Sequence, residues 1–173
     1  MGCHSTKKNI IKKEIKIMEL TFAPRGILQI DDARIVYRNF SGEPSKYNRE
    51  GDRNFAVVIP NTEMADALTE AGWNVKVKPP REEGEEPFMF LQVKVKFNER
   101  GPAAYLQSGR NMRKLSEDTI SILDKVDIIG VDLDIRPYRY DVSGKTGISA
   151  YLQSIKVVQD VDRFAADMEM EEE

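Results

Sequence analysis

The chain contains almost none of the two residue types on which most metal and thiol chemistry depends. Its 173 residues include one cysteine and one histidine, Cys3 and His4. A single cysteine cannot form an internal disulfide, so a disulfide-stapled secreted domain is excluded. A single histidine near the N-terminus argues against histidine-ligated zinc and against Ser-His-Asp or Cys-His catalysis. We therefore expect no metal, no cofactor and no enzymatic activity.

Long hydrophobic runs are missing as well. No apolar stretch approaches the roughly 18 residues needed to cross a bilayer, and no signal peptide is visible. Hydrophobic side chains nevertheless make up 40% of the chain, which is typical of a globular protein. A chain of this length buries roughly 70% of its unfolded surface. We expect one soluble domain that does not associate with membranes.

Charge is distributed unevenly, although the net charge is only −3. Residues 1–17 hold five lysines and one glutamate, whereas residues 160–173 hold seven acids and one arginine. We predict a basic leader over residues 1–17, a folded domain over 18–159 and an acidic tail over 160–173. The tail acids are expected to bind a partner, with a merely solubilising tail as the alternative. These acids are Asp160, Asp162, Asp167, Glu169, Glu171, Glu172 and Glu173.

The basic leader has two interpretations. Met1-Gly2 followed by Thr6 fits an N-myristoylation pattern, with Cys3 available for palmitoylation. Alternatively, the codons of Lys13-Glu14 can form a bacterial ribosome-binding sequence upstream of Met18, and residues 1–17 are then translated leader outside the fold. We favour the second interpretation, in which these residues are disordered or not native.

Most of the body alternates between apolar and polar residues, which predicts β-strands. We predict strands within 27–40, 53–59, 73–78, 88–97, 103–107, 128–140 and 148–159, with the last two forming a hairpin around Gly144 and Gly147. Helices are predicted over 61–71, capped by Asn61 or Thr62, and over 116–125, capped by Ser116. Polar loops are predicted over 41–52 and 108–114. The expected core rings are Tyr37, Phe55, Trp73 and Phe97.

This element order predicts a mainly β protein, an OB-fold-like Greek-key barrel of five to six strands with one or two short helices. In an OB-fold a helix lies between the third and fourth strands, which is the place of the predicted helix over 116–125. A β-sandwich with two added helices is the alternative that periodicity leaves open.

Residues suited to catalysis are few. Asp132 and Asp134 share one face of a predicted strand, and paired carboxylates can hold a divalent metal for phosphodiester cleavage. No third carboxylate recurs near them, so we expect solvent-facing acids. The sequence GKTG over 144–147 lacks the upstream glycine and the helix of a phosphate-binding loop, and it predicts a turn.

Aromatic and cationic residues alternate on several predicted surfaces, a combination that suits single-stranded nucleic acid because bases stack on rings and cations neutralise phosphates. The structural alternatives are that Phe88 packs under the 79–87 loop and that Tyr138 and Tyr140 are cross-strand partners. The candidate nucleic-acid-binding residues are Tyr47, Arg49, Arg53, Lys76, Lys78, Phe88, Phe90, Lys94, Lys96, Tyr105, Arg110, Arg113, Arg136, Tyr138 and Tyr140.

Two stretches resemble phage-encoded single-stranded DNA-binding proteins of the OB-fold type: FSGEPSKYNREGDRNFAVVIP (40–60) and IIGVDLDIRPYRYDVSGKTGISAYLQSIKVVQ (128–159). The resemblance implies a replication or recombination protein that coats single-stranded DNA without sequence preference in the host bacterial cytoplasm. The sequence leaves the oligomeric state open, with a homodimer as one alternative. It also implies an acidic tail that recruits replication proteins or competes with DNA for a basic groove. The tail departs from that pattern because its only ring, Phe164, lies nine residues from the end.

Two other functions remain open. A β-rich phage protein that binds a host or virion protein explains the near-neutral body more easily. A metal-dependent nuclease using Asp132 and Asp134 is the enzymatic alternative, and it has weaker support.

Overall fold

The computed structural model describes residues 17–161, which fold into one mainly β unit. Most of the predicted leader and tail therefore lies outside the described residues. The first half holds β1 (Glu19–Phe22), β2 (Leu28–Asp31), β3 (Ile35–Asn39), β4 (Arg53–Val58), α1 (Thr62–Glu70) and β5 (Val75–Lys78). The second half holds β6 (Phe88–Val95), β7 (Ala103–Ser108), β8 (Asn111–Leu115), β9 (Ile128–Val142) and β10 (Lys145–Gln159). Short 3₁₀ helices span Pro24–Gly26 and Ile120–Asp124.

The ten strands form one sheet in the order β1-β2-β9-β10-β6-β4-β3, with β5 on β6, β7 on β10 and β8 on β7. The predicted mainly β, OB-like class is confirmed, but ten strands replace the predicted five or six. Asp32 has φ of 53° and separates β2 from β3, so the predicted strand over 27–40 becomes two. The predicted loop over 108–114 contains β8, which pairs with β7 from Ala104↔Leu115 to Ser108↔Asn111.

The hairpin of β9 and β10 is the longest pairing in the sheet and was predicted. Its strands join through a two-residue turn at Ser143 and Gly144, with φ of 53° and 81°, the positive values that a tight type I′ turn requires. Pairing is antiparallel from Val142↔Lys145 to the far end of both strands, with a bulge at Gln153. After the bulge, β10 leaves β6 and pairs with β7.

The core lies on one face of the sheet, where Phe40 and Phe55 stack at 5.0 Å between ring centroids. Phe55 and Trp73 are buried as predicted, and Phe97 is half-buried. The prediction for Tyr37 was wrong, since its side chain is 53% exposed. Its φ of 53° and the irregular pairing between Val36 and Asn39 interrupt the alternation on which that prediction relied.

The helix α1 covers part of this core. Asn61 accepts a hydrogen bond from the amide of Met64 at 2.8 Å, which is the predicted cap. The chain then passes through Gly72 to Trp73, which forms a bridge with Ile148 of β10. The second predicted helix is only the 3₁₀ turn Ile120–Asp124, and Ser116 does not cap it; instead its amide donates to Oγ1 of Thr119 at 2.8 Å.

Candidate nucleic-acid interface

The outer face of the sheet, opposite the core, carries aromatic and cationic side chains from four strands. Residues directly opposite one another in paired strands share a face, and the register brings the following pairs together. Between β5 and β6, Lys76 lies opposite Phe90 and Lys78 opposite Phe88. Between β6 and β10, Lys94 lies opposite Tyr151. Between β9 and β10, Arg136 lies opposite Tyr151, Tyr138 opposite Ser149 and Tyr140 opposite Gly147. Eight of the predicted candidates therefore lie on one continuous surface: Lys76, Lys78, Phe88, Phe90, Lys94, Arg136, Tyr138 and Tyr140.

Tyr151 lies at the centre of this surface. The Lys94 ammonium is 5.7 Å from its ring centroid, and the Arg136 guanidinium is also 5.7 Å away. Tyr138 contacts the same ring edge-on, with 5.7 Å between centroids. A ring flanked by two cations is the local arrangement that suits a stacked base between neutralised phosphates.

Tyr151 was not among the sequence candidates, although the sequence carries the signal. It alternates with Ala150 and Leu152, both buried, so it belongs to the outer face of the predicted strand. The two-residue turn then fixes the register of the hairpin and places Tyr151 directly opposite Arg136. Counting outward from the turn, rather than judging each strand alone, identifies this residue.

Three clefts run side by side along the surface, and together we call them the groove. The first cleft, about 470 Å³, extends from Arg53 and Phe97 to Tyr151. The middle cleft, about 400 Å³, shares Gln92, Lys94 and Tyr151 with the first and contains Tyr138 and Tyr140. The end cleft, about 620 Å³, lies between the end of α1 and the hairpin, and it shares Asn74, Tyr140 and Ile148 with the middle cleft. The shared lining makes the three clefts one path.

The groove has an excess of positive charge within a nearly neutral domain. The cations in its lining are Arg53, Lys76, Lys94, Lys96 and Arg139, and the acids are Asp52, Glu117 and Asp141. At one end, Nη1 of Arg53 lies 3.4 Å from Oε1 of Glu117, and its guanidinium lies 5.6 Å from the ring centroid of Phe97. The clustering of cations on one path concentrates positive potential where a phosphate backbone would lie.

A second aromatic cluster extends the outer face along β6. Tyr37 contacts Phe90 and Phe88 edge-on, at 5.8 and 6.1 Å between centroids, while Phe88 and Phe90 stack at 5.6 Å. Lys78 Nζ donates to Tyr37 Oη at 3.0 Å. Phe90 was expected to be an exposed stacking ring but is only 7% exposed, because Tyr37, Phe88 and Lys78 cover it.

The remaining candidates lie outside the groove lining. Tyr47 is 89% exposed on the 41–52 loop beside Arg49, and its loop neighbour Asn48 lines the first cleft. Tyr105 is half-buried on β7, opposite Lys114 of β8 and Lys156 of β10. The exposed Arg110 and Arg113 lie on the β7–β8 hairpin. The structure therefore does not bring these residues together with Tyr151.

Asp132 and Asp134 have structural partners. Asp132 accepts a hydrogen bond from the Asp32 amide at 3.0 Å and lies 3.7 Å from Lys156 Nζ. Asp134 accepts from Ser154 Oγ at 3.3 Å. Within residues 17–161, no group of three or more His, Cys, Asp or Glu side chains is placed to hold a metal ion.

The structure describes only the first two residues of the predicted acidic tail. Asp160 is exposed, and its amide donates to the carbonyl of Asp127 at 2.7 Å. The other six tail acids, Asp162, Asp167, Glu169, Glu171, Glu172 and Glu173, lie outside the described residues. None of the helices within residues 17–161 has the length and hydrophobicity that a membrane span requires.

An OB-like sheet with a basic, aromatic groove on its outer face defines a class of nucleic-acid-binding protein. The sequence model of the phage ssDNA-binding domain family matches residues 19–172, and the chain belongs to this family. Family membership covers nearly the whole chain, including both stretches on which the resemblance rested.

Solved structures support the fold. The single-stranded DNA-binding protein from bacteriophage Enc34 in complex with ssDNA has a TM-score of 0.55 and 14% identity, over 87% of this chain and 96% of that chain. A C-terminal truncation of the same Enc34 protein gives 0.55 and 14%, over 86% of this chain and 94% of that chain. At this identity the likeness shows the fold alone. No curated protein matches the sequence.

Proposed function

We propose that this protein binds single-stranded DNA in the groove, without sequence preference and without catalysing a reaction. The observation that carries the proposal is Tyr151, whose ring lies between Lys94 and Arg136 at 5.7 Å from each, where two of the three clefts meet. Membership of the phage ssDNA-binding domain family supports the same ligand.

The rings of the groove supply the contact to bases. Tyr138 is 60% exposed, Tyr140 and Tyr151 are half-buried, and all three line the middle cleft. Every base has a π-face, so stacking on such rings is tolerant of sequence and contributes about 1–3 kcal/mol per base. This tolerance is what a protein that coats arbitrary single strands requires.

The cations of the groove supply the contact to phosphates. Lys94 lines the groove, whereas Arg136 lines none of the three clefts but lies beside the same Tyr151 ring. Both side chains are exposed and therefore keep their charge available. Neutralising a phosphate of a single strand releases condensed counterions, so affinity falls as salt rises. The groove lining has five cations and three acids, so a domain of low net charge still offers a local positive excess to a polyanion.

We propose that the protein acts in phage DNA replication or recombination, in the cytoplasm of the bacterial host. In this role the acidic segment 160–173 recruits replication proteins or competes with DNA for the groove. A chain that ends at Gln159 is then expected to bind single strands more tightly at low salt. Unchanged affinity across a salt series excludes the competition and leaves partner recruitment or solubility. Sedimentation with and without DNA decides between a monomer and a homodimer.

The central experiment measures binding of fluorescently labelled oligo-dT to the full chain, with and without magnesium. Tyr151→Leu is expected to weaken binding by about 5-fold or more, the lower limit for one lost stacked base, while the melting temperature changes little. Phe22→Leu is the matched control, because Phe22 is 53% exposed on β1, which does not line the groove.

Each alternative outcome has a distinct meaning. Equal losses for Tyr151→Leu and Phe22→Leu contradict the assignment of the groove. Cleavage of the oligonucleotide in magnesium supports the nuclease instead. No binding at low salt contradicts the proposed function and favours a protein that binds a host or virion protein.

A further inference from the structure

Gly147 of β10 and Tyr140 of β9 are cross-strand partners with an unusually close approach. A Cβ atom built on Gly147 would lie 2.5 Å from Oη of Tyr140, 2.7 Å from Cζ and 3.1 Å from Cε1. A real side chain at Gly147 is therefore incompatible with the observed ring position. The phenol end of the Tyr140 ring lies against the backbone of Gly147.

The backbone itself does not require glycine at this position. Gly147 lies inside a regular antiparallel pairing and is not among the glycines with positive φ, so alanine fits its backbone conformation. Glycine inside a strand lowers stability relative to alanine and often marks a close approach. The ring of Tyr140 can occupy its observed position only because Gly147 has no side chain.

The position of Tyr140 matters because two clefts meet at it. Tyr140 lines both the middle cleft, which contains Tyr138 and Tyr151, and the end cleft, which contains Trp73 and Arg139. The position of this ring against Gly147 therefore shapes the passage between the two clefts. A side chain at Gly147 would displace the ring and so alter this passage.

We propose that Gly147 is a positioning residue that lets the Tyr140 ring lie against the β10 backbone, and that the end cleft beyond Tyr140 is an additional subsite for the single strand. In this subsite Arg139 contacts a phosphate, while Asn74 and Thr146 form hydrogen bonds with a base edge or sugar. Asp141 also lines the cleft, so the subsite takes few phosphates. The inference rests on the proposed function of the groove and extends it.

The experiment compares the affinity of Gly147→Ala and the unmodified chain for oligo-dT of increasing length, from about 4 to about 16 nucleotides, the range of OB-fold site sizes. The shortest oligonucleotides fit beside Tyr151 and are expected to bind both proteins equally. Longer ones reach the end cleft, and Gly147→Ala is expected to bind them about 5-fold or more weakly, the loss for one stacked base. The affinity of Gly147→Ala is therefore expected to stop rising at a shorter oligonucleotide length than the affinity of the unmodified chain.

Gly130→Ala is the matched control. Gly130 belongs to the same hairpin and also lacks a positive φ, but a Cβ there would lie 3.9 Å from Cβ of Val158, an ordinary contact. This variant is expected to behave like the unmodified chain at every length. A melting curve for each variant shows that the fold is retained.

Two more variants separate positioning from a general loss of stability. In a Tyr140→Ala background, Gly147→Ala is expected to cause no further loss, because the ring that it displaces is gone. Arg139→Gln changes an exposed side chain and tests the end cleft without touching Gly147; it is expected to weaken only the longer oligonucleotides.

Failure of this inference differs from failure of the proposed function. An unmodified chain that binds no oligonucleotide contradicts the function itself. A chain that binds normally contradicts the inference if Gly147→Ala weakens all lengths equally, if its loss persists in the Tyr140→Ala background, or if Arg139→Gln has no effect at any length.

Discussion

Gln92 donates a hydrogen bond from Nε2 to Oδ1 of Asn54, 3.0 Å away. This contact joins β6 to β4 within the lining of the first cleft. Asn54 in turn donates to Oδ1 of Asn48 at 2.9 Å. The three amides form one chain from β6 through β4 to the 41–52 loop. The loop that carries Tyr47 is therefore held in a fixed position relative to the groove.

Asn48 is the residue that organises this loop. Its Nδ2 donates to the carbonyls of Glu43, Arg49 and Asp52 at 2.8, 3.0 and 3.0 Å. Asn48→Ala is expected to lower the local free energy of opening by about 1–3 kcal/mol, since each hydrogen bond contributes about 1 kcal/mol. The measurement is amide hydrogen exchange, which should accelerate in residues 43–52 while β4 and β6 stay protected. Exchange no faster than in the exposed-site control Asn111→Ala would show that the loop is held by other contacts.

The elements that sequence analysis predicted correctly are those fixed by local pattern. The strand β4 is a short apolar run closed by Pro60, β6 has Met89, Leu91, Val93 and Val95 at every second position, and Asn61 supplies a standard helix cap. The hairpin follows from the glycine-containing turn between two apolar strands, in which Gly144 readily adopts its positive φ. In each case the information lies within a few neighbouring residues, so no knowledge of the sheet is needed.

The missed features depend on partners that are distant in sequence. Tyr37 leaves the core because of a positive φ and a pairing irregularity, neither of which period-two counting detects. The edge strand β8, with the sequence NMRKL, has no apolar alternation and pairs only because β7 lies beside it. Tyr151 becomes a central residue only when Lys94 and Arg136 arrive from two other strands. The exposure of Tyr37, the formation of β8 and the surroundings of Tyr151 all depend on strand register and strand order, which local propensity does not reveal.

Tyr37 now has a structural role that can be measured. It forms edge-to-face pairs with Phe88 and Phe90, and it covers Phe90 on the outer face. Such pairs contribute about 0.5–1.5 kcal/mol each beyond the area that they bury. Tyr37→Ala is therefore expected to lower the free energy of unfolding in urea by about 1–3 kcal/mol. Tyr47→Ala, at a ring that is 89% exposed, is the control and should leave it unchanged; equal effects would show that Tyr37 does not support Phe90.

Glu117 places a carboxylate inside the first cleft, 3.4 Å from Nη1 of Arg53, where we expect it to compete with phosphate for this guanidinium. The side chain of Glu117 is 60% exposed, and that of Arg53 is 21% exposed, so their interaction contributes at most about 1 kcal/mol. Glu117→Gln is expected to tighten oligo-dT binding at low salt by about two- to fivefold, and the gain should shrink as salt screens the charges. Glu19→Gln, an exposed acid on β1, controls for the change in net charge. An equal gain in affinity from both variants would show that the gain comes from the change in net charge and not from the release of Arg53.

The salt dependence of binding tests how Lys94 and Arg136 act. If each neutralises one phosphate, removing either charge should reduce the slope of log affinity against log salt by about 0.7, the value for single strands. We expect Lys94→Gln and Arg136→Gln each to give this reduction, and the double variant to give about twice as much. Both side chains are exposed, so the melting temperature should change little. Lys125→Gln, an exposed site that lines none of the three clefts, should keep the full slope. Weaker binding with an unchanged slope would mean that these cations act on the Tyr151 ring and not on phosphates, because a lost ring contact releases no counterions.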